Sequence, residues 1–143
     1  MKISTKGRYG LRILADIALN GGEKPRLIRE ISKSQNLSQK YVGRLIIELR
    51  KKGFLNSIRG ARGGYMLAKD PADITLLDIL ETMEGEMSVV ACVACPKKCK
   101  RSSSCFARDT WAKLNNDIKA SFSKITLADV MSPKGEEKSD FCI

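Results

Sequence analysis

The chain has no histidine among its 143 residues. This absence excludes an imidazole as a catalytic base or a metal ligand, and it leaves sulfur and oxygen as the side-chain donors for a metal. The sequence also lacks an apolar run long enough to span a membrane, and its polar start shows no signal-peptide core. We therefore expect a cytoplasmic protein with one compact domain and an appendage.

Acidic residues are scarce in the first half of the chain. Residues 1–65 carry 15 Lys and Arg against 4 Asp and Glu, a net charge of +11, whereas residues 66–143 carry 11 against 12, a net charge of −1. Such a basic region attracts a polyanion, and nucleic acid is the commonest polyanion in the cytoplasm. A solvated basic surface that only aids solubility accounts for the charge equally well.

Apolar residues at helical spacing predict three helices in this basic half. The first spans residues 6–20, the second has Pro25 in its first turn, and the third follows Ser38, whose hydroxyl can cap it. The third helix has a buried face made of Val42, Leu45, Ile46 and Leu49 and a polar, basic face that includes Gln39, Lys40 and Arg44. This pattern is typical of a helix-turn-helix, whose second helix enters the major groove of DNA.

Two β-prone runs, residues 54–59 and 65–68, follow the third helix and are joined by a glycine-rich turn. The turn region carries Arg59 and Arg62 and no acidic residue. We interpret this hairpin as a wing whose arginines reach phosphates or a minor groove. An ordinary surface hairpin is the alternative, but it would not require arginine at its tip.

The C-terminal half predicts two further helices. Thr75 and Asp78 form a capping box at the start of one of them, and the other runs from about residue 106 to 124. This last helix carries an apolar stripe made of Trp111, Leu114, Ile118, Phe122 and Ile125. Because this stripe lies beyond a complete small domain, we expect a second copy of the chain to cover it in a homodimer. The alternative is that the helix folds back on its own domain.

These elements predict a mainly α fold with a small β-hairpin wing. We divide the chain into a winged helix-turn-helix domain (1–84), a cysteine-rich loop (85–105), a dimerisation helix with its return (106–131), and a polar tail (132–143) that we expect to be disordered. Neither a dinucleotide-binding fingerprint nor an acid–base pair is present, so the sequence does not favour an enzyme.

Four of the five cysteines are clustered at Cys92, Cys95, Cys99 and Cys105, whereas Cys142 lies apart in the tail. Lysines and arginines stand among them, and cations lower the pKa of thiols and offset the charge of a thiolate-ligated centre. The spacing alone leaves three interpretations open: an iron-sulfur cluster, a structural zinc site, or bare thiols that respond to oxidation.

Three segments carry a resemblance to a known family: residues 1–11, the wing residues 57–65, and Ile125-Thr126-Leu127. They closely resemble the Rrf2 family of transcription regulators, including its cluster-binding, IscR-like branch. The resemblance implies a dimeric winged helix-turn-helix repressor or activator that binds palindromic promoter DNA. It also implies that a 2Fe-2S cluster is held by three cysteines, matched here by Cys92, Cys99 and Cys105.

The predicted DNA contacts are Ser4, Lys6, Arg8, Ser38, Gln39, Lys40, Tyr41, Arg44, Arg59, Arg62, Gly63 and Gly64. The chain departs from the family pattern at the expected fourth cluster ligand: Arg108 replaces a histidine, and Arg8 replaces the carboxylate of another branch. We therefore take Cys95 as the fourth ligand, with Asp109 or a partner-chain group as the weaker option. Gly43 replaces a glutamate found in many relatives, so the preferred DNA site is expected to differ.

The resulting hypothesis is a DNA-binding regulator that senses iron-sulfur cluster status, or a redox or nitric oxide signal. The alternative is a zinc-stapled or thiol-redox regulator of the same fold, for example of cysteine metabolism.

Overall fold

A computed structural model describes residues 2–132 of the chain. The α-helices and strands of this region are, in chain order, α1 (Thr5–Gly21), α2 (Ile28–Gln35), α3 (Gln39–Lys51), β1 (Leu55–Ile58), β2 (Gly64–Leu67), α4 (Leu76–Glu84), α5 (Ala91–Ala94), α6 (Arg108–Lys124) and α7 (Leu127–Met131). Two short 3-10 helices lie at Pro71–Asp73 and Pro96–Lys98. This architecture, mainly helical with one antiparallel hairpin, confirms the predicted fold class. The predicted disorder over 132–143 falls, apart from Ser132, outside the described residues, as does Cys142.

Helix α1 forms the centre of the domain and packs against α2, α3, α4, α7 and β2. It begins after Ser4, whose Oγ accepts a hydrogen bond of 3.1 Å from the Lys6 N–H. Its side chains Ile13 and Leu14 are fully buried, as amphipathic spacing requires. Gly10 brings α4 close, because a Cβ at this position would lie 2.7 Å from Cγ of the buried Met83.

Helix α2 begins later than the sequence predicts, and the placement of Pro25 in its first turn is wrong. Arg26 instead pairs with Tyr65 of β2 through two backbone hydrogen bonds of 2.9 Å. The helix starts only after Leu27, whose N–H donates to the Glu30 carboxylate at 2.9 Å. Pairing with the hairpin therefore overrides the local preference of proline for a helix N-terminus.

Helix α3 and the hairpin agree with the sequence-based prediction. The hydroxyl of Ser38 caps α3 by accepting a 3.2 Å hydrogen bond from the Tyr41 N–H. The predicted apolar face is buried, since Val42, Leu45, Ile46 and Leu49 are at most 2 % exposed. Strands β1 and β2 then pair antiparallel, with Leu55 opposite Leu67 and Ile58 opposite Gly64.

The C-terminal helices return the chain to the domain. The predicted capping box of Thr75 and Asp78 is present at the start of α4. Helix α6 ends at Lys124 as predicted, and α7 then packs on α1 through the fully buried Leu127, whose N–H donates to the Ile74 carbonyl at 2.8 Å. None of the helices within residues 2–132 combines the length and apolar character needed to cross a lipid bilayer.

Candidate nucleic-acid interface and cysteine segment

The solvent-facing side of α3 is polar and basic. Gln39, Lys40 and Arg44 are exposed there, as the helical periodicity predicts. Ile47 lies farther along the same helix and is 50 % exposed, although it is large and apolar. Sequence reasoning missed Ile47, but its position outside the buried stripe was a usable signal. An exposed methyl-rich side chain on a helix of this kind can contact the methyl group of thymine.

Two predicted contacts of α3 also have structural roles. The Ser38 hydroxyl oxygen caps the helix, and the Tyr41 ring is half-buried against Tyr9, with ring centroids 6.0 Å apart at an interplanar angle of 85°. The guanidinium of Arg12 lies 5.2 Å from the centre of the Tyr9 ring. These contacts fix the N-terminal end of α3 against α1.

The N-terminus of α1 is tied to two other helices. One oxygen of Glu84, at the end of α4, accepts hydrogen bonds from the Ser4 N–H (3.0 Å), the Ser4 hydroxyl (2.6 Å) and the Gly7 N–H (3.1 Å). The Lys6 ammonium pairs with Glu48 of α3 at 2.6 Å while remaining 38 % exposed. Arg8 is exposed and donates to the Thr5 hydroxyl at 3.2 Å. Lys6 thereby ties the N-terminal turn of α1 to α3, and Ser4 ties it to α4.

The hairpin and the start of α3 border one open cleft of about 520 Å³. Gln39 of α3, Arg29 of α2, and Ser57, Gly63 and Gly64 of the hairpin region all line it. The structure therefore brings together three of the predicted DNA-contacting residues, from two separate elements. The predicted arginines, Arg59 and Arg62, are exposed in the connection between the strands.

Gly64 has a backbone role in this region. Its φ is +146°, and a Cβ there would lie 2.6 Å from the carbonyl oxygen of Arg26. Only glycine permits both this conformation and the close approach of β2 to the chain before α2.

A buried carboxylate lies beneath the hairpin. Asp16 of α1 is 3 % exposed and accepts hydrogen bonds from the Arg26 guanidinium, the Ser34 hydroxyl and the Gln35 side-chain amide. Burial raises the pKa of Asp16, but the hydrogen bonds and the positive charge of Arg26 together outweigh it and leave the pKa below its ordinary value of 3.8. Sequence reasoning missed this residue, although a lone acid in the apolar stripe of a helix is a recognisable signal.

Residues 85–105, here called the cysteine segment, contain the short helix α5 and a 3-10 turn at Pro96–Lys98. The sequence did not predict either element. Two polar contacts anchor its first part: the Val89 N–H donates to the Asn115 side chain of α6 at 3.0 Å, and the Met87 N–H donates to Glu81 of α4 at 3.4 Å. The Lys119 ammonium also pairs with Glu81 at 2.8 Å. The segment is therefore attached to both α4 and α6.

The four predicted metal ligands, Cys92, Cys95, Cys99 and Cys105, are free thiols and half-buried. Within residues 2–132, no three Cys, Asp or Glu side chains are grouped closely enough to hold one metal ion. The donor chemistry nevertheless fits a thiolate-ligated centre, because soft metals and iron-sulfur clusters take sulfur donors and the segment is rich in cations. Ligation would require the four sulfurs to move together from this arrangement.

Arg108, at the start of α6, has a buried Nε with no hydrogen-bond partner among the described residues. A buried donor without an acceptor is costly, and it favours an anionic or sulfur acceptor nearby. Its backbone N–H donates to the carbonyl of Cys105 at 3.2 Å, which places it directly beside the cysteine segment. Asp109, the weaker candidate ligand, is exposed.

The outer face of α6 is apolar and exposed. Trp111 and Leu114 are 41 % and 42 % exposed, and Ile125, just after the helix, is 38 % exposed. Ile118 and Phe122 of the predicted stripe are half-buried. The helix therefore leaves much of its apolar stripe uncovered within one chain.

Comparisons with known proteins agree with this geometry. Residues 3–133 match the protein family described as "Rrf2: Iron-dependent Transcriptional regulator". The chain is 38 % identical over 140 residues to the HTH-type transcriptional regulator CymR of Bacillus subtilis, and the match covers 97 % of this chain and 96 % of that protein.

Two solved structures show the same fold. The structure of CymR, the global cysteine regulator of B. subtilis, superposes with a TM-score of 0.75 at 37 % identity and covers 92 % of this chain and 97 % of that one. The structure of IscR from T. potens gives a TM-score of 0.72 at 36 % identity and covers 92 % of this chain and 86 % of that one. The chain thus belongs to the Rrf2 family and is a DNA-binding transcription regulator rather than an enzyme.

Proposed function

We propose that this regulator binds palindromic promoter DNA as a homodimer, and that its DNA binding responds to a 2Fe-2S cluster on the cysteine segment. The observation that carries the proposal is the exposed polar and basic face of α3, whose Gln39 lines one cleft together with the hairpin. The ligand is chromosomal DNA, so the proposed site of action is the cytoplasm.

The proposed DNA interface has three parts. Helix α3 enters the major groove with Gln39, Lys40 and Arg44, because its opposite face is buried in the domain. Ser4, Lys6 and Arg8, together with the cap residue Ser38 and with Tyr41, contact the adjacent DNA backbone. The hairpin acts as a wing that places Arg59 and Arg62 on the phosphates or in the minor groove, with Gly63 and Gly64 allowing close approach.

The DNA interface is tested with a duplex that the protein itself selects from a random pool. Replacing Arg44 with alanine should lower affinity for the selected duplex more than for random DNA, because a base contact is lost. Replacing Lys113 of α6, an exposed cation away from the proposed interface, is the matched control. Equal losses of affinity for both duplexes would mean that Arg44 contacts only phosphate. No loss of affinity for either duplex would exclude α3 as the helix that contacts the bases.

The homodimer is supported by the uncovered stripe of α6. Twofold symmetry of the protein would match a palindromic site, with half-sites about one helical turn apart. Replacing the exposed Leu114 with glutamate should convert the dimer to a monomer in sedimentation experiments, whereas replacing Lys113 should not. A monomeric unaltered protein would contradict the proposal.

The proposed cluster ligands are Cys92, Cys99 and Cys105, with Cys95 as the fourth ligand instead of the missing histidine. When bound, the cluster supplies a redox-active centre whose charge and integrity depend on iron, oxidants or nitric oxide. The chain's own contribution is the attachment of the segment to α4 and α6. Movement of the segment would reach α4, whose last residue, Glu84, holds the N-terminus of α1.

A zinc-stapled or thiol-redox regulator of the same fold is the second candidate. The observation that favours it is the similarity of the chain, over nearly its whole length, to CymR, a cysteine regulator. The four ungrouped thiols of the described residues fit the thiol-redox form, since zinc would need the sulfurs to converge as a cluster would. In this case the segment would hold zinc as a structural centre, or its thiols would respond to oxidation directly.

The two candidates are separated by measuring iron, zinc and acid-labile sulfide, with a visible absorption spectrum, on protein purified without oxygen. Equal amounts of iron and acid-labile sulfide, with visible absorption bands, support the cluster-binding regulator. One zinc ion per chain, with no visible absorption, supports the zinc-stapled regulator. Protein with neither metal, whose DNA affinity changes on thiol oxidation, supports the redox regulator. Cys95→Ala should lower cluster content and alter the spectrum, and Cys142→Ala, in the tail, is the control. Full content in Cys95→Ala would exclude Cys95 as a ligand.

A further inference from the structure

The carboxylate of Asp16 lies where three elements meet. It accepts hydrogen bonds from Arg26 through Nε at 3.2 Å and Nη2 at 2.9 Å, and from the Gln35 side-chain amide at 2.8 Å. The Ser34 hydroxyl donates to Oδ2, the oxygen that also accepts from Gln35, whereas Arg26 donates to Oδ1. Since the Asp16 side chain is 1 % exposed, it cannot contact DNA. Its hydrogen bonds instead hold two segments in place: the chain just before α2 and the C-terminal end of α2.

Arg26 connects this carboxylate to the hairpin. Its side chain is bound to Asp16, and its backbone exchanges two hydrogen bonds of 2.9 Å with Tyr65 of β2. The neighbouring Gly64 leaves no room for a side chain between the two segments, since a Cβ would lie 2.6 Å from the Arg26 carbonyl oxygen. The hairpin is therefore docked onto a residue that is itself anchored by a buried charge.

This anchor matters because a two-stranded hairpin is only marginally stable by itself. Outside its own turn, β2 pairs with β1 on one edge and with Arg26 on the other. The far end of the hairpin carries Arg59 and Arg62, so a small rotation at Arg26 becomes a larger displacement of these two guanidinium groups. The orientation of Arg26 therefore contributes to the position of the hairpin, together with the packing of β1 on α3 and of β2 on α1.

We infer that Asp16 is the positioning residue of the wing: through Arg26 and Tyr65 it holds Arg59 and Arg62 at the distance from α3 that a specific DNA site requires. This inference rests on the proposed contact between the wing and DNA. Arg12 reinforces the arrangement, because it donates to the side chain and the backbone carbonyl of Gln35 at 2.9 and 3.1 Å and so fixes α2 against α1.

The test is a cycle of variants on the full chain. Affinity for the self-selected duplex is measured for Asp16→Asn, for the double variant Arg59→Ala/Arg62→Ala, and for all three changes together. The matched control is Asp73→Asn, which removes the same charge from an exposed position. Asp16→Asn and the double variant should each lower affinity about tenfold, equivalent to ~1.4 kcal/mol. The triple variant should lose little more than the double variant, because both act through the wing.

A second measurement, amide hydrogen exchange, tests how firmly the wing is held in protein that is not bound to DNA. The Tyr65 amide donates to the Arg26 carbonyl, so its hydrogen exchange should become faster in Asp16→Asn while the amides of α3 remain protected. Arg26→Lys keeps the charge and the backbone pairing, and should give a smaller effect on exchange and affinity. If Asp16→Asn does not fold, Arg26→Lys still tests the inference through the same two measurements.

Different failures separate the two proposals. If the double variant binds DNA normally, the proposed wing contact is wrong, and Tyr65 exchange still decides whether Asp16 holds the hairpin. If the double variant is weakened but Asp16→Asn behaves like Asp73→Asn, the inference about Asp16 is overturned. Additive losses in the triple variant would also overturn it, because they would show that Asp16 does not act through the wing.

Discussion

Replacing Glu84 with alanine should detach the N-terminus of α1 from α4. One carboxylate oxygen accepts three hydrogen bonds there, two from Ser4 and one from the Gly7 N–H, which has no partner within the helix. Losing a helix cap costs about 1 kcal/mol, and losing an anion beside a helix N-terminus costs roughly 0.3 to 1 kcal/mol. Because the site is exposed and water replaces the carboxylate, we expect the free energy of unfolding to fall by about 1 to 2 kcal/mol.

The assay is urea unfolding at a fixed protein concentration, because the proposed dimerisation would contribute to the apparent stability. Glu84→Gln keeps one acceptor oxygen without the charge, so its loss should be about half that of alanine. Glu86→Ala, an exposed neighbour in the cysteine segment, is the control and should cost less than about 0.5 kcal/mol. DNA affinity should fall severalfold in Glu84→Ala, because Ser4 and Lys6 lose their fixed positions. The reasoning is refuted if Glu84→Ala and Glu86→Ala unfold at the same urea concentration.

Three further predictions concern packing, pH and DNA recognition. Gly10→Ala should lower the free energy of unfolding, because overpacking against the buried Met83 costs roughly 1 to 3 kcal/mol and outweighs the gain of about 1 kcal/mol in helix propensity; thermal unfolding measures it. The lowered pKa of Asp16 contributes stability that is present above pH 3.8 and is lost as the pH falls further, so acid unfolding should be less steep in Asp16→Asn than in the unaltered protein. Replacing Ile47 with alanine should lower affinity for the self-selected duplex, and the loss should disappear when its thymines are replaced by uracils; an unchanged loss would exclude a methyl contact.

The sequence correctly predicted the elements whose formation depends on residues close together in the chain. The cap at Ser38, the buried stripe of α3 and the capping box of Thr75 and Asp78 all follow from spacing within one turn or a few turns of a helix. Pro25 was misassigned because the competing interaction, the pairing of Arg26 with Tyr65, joins positions far apart in sequence. Local propensity contains no information about such a partner.

The features of the candidate site also divide into those that the sequence could predict and those that it could not. The exposed polar face of α3 and the basic hairpin could be predicted, because each lies within one element. The roles of Glu84 and Asp16 could not, since each carboxylate acts on an element that is distant in sequence. The arrangement of the four cysteines was also beyond the sequence, because thiols in a loop without periodicity converge only when the loop folds around a ligand.

The two carboxylates restrict how a signal in the cysteine segment could reach DNA. The segment begins directly after Glu84, and Glu84 holds the N-terminus of α1, from which Lys6 pairs with Glu48 of α3. Coupling requires that the states of the segment favour different DNA-competent geometries. A shift at the end of α4 would move the N-terminal turn of α1 and change its contact with α3. The wing is held by Asp16, which lies about three turns farther along the same helix. A signal should therefore alter the groove contacts of α3 and the α1 N-terminus, and footprints of the two signalling states should differ there while protection by the wing stays the same.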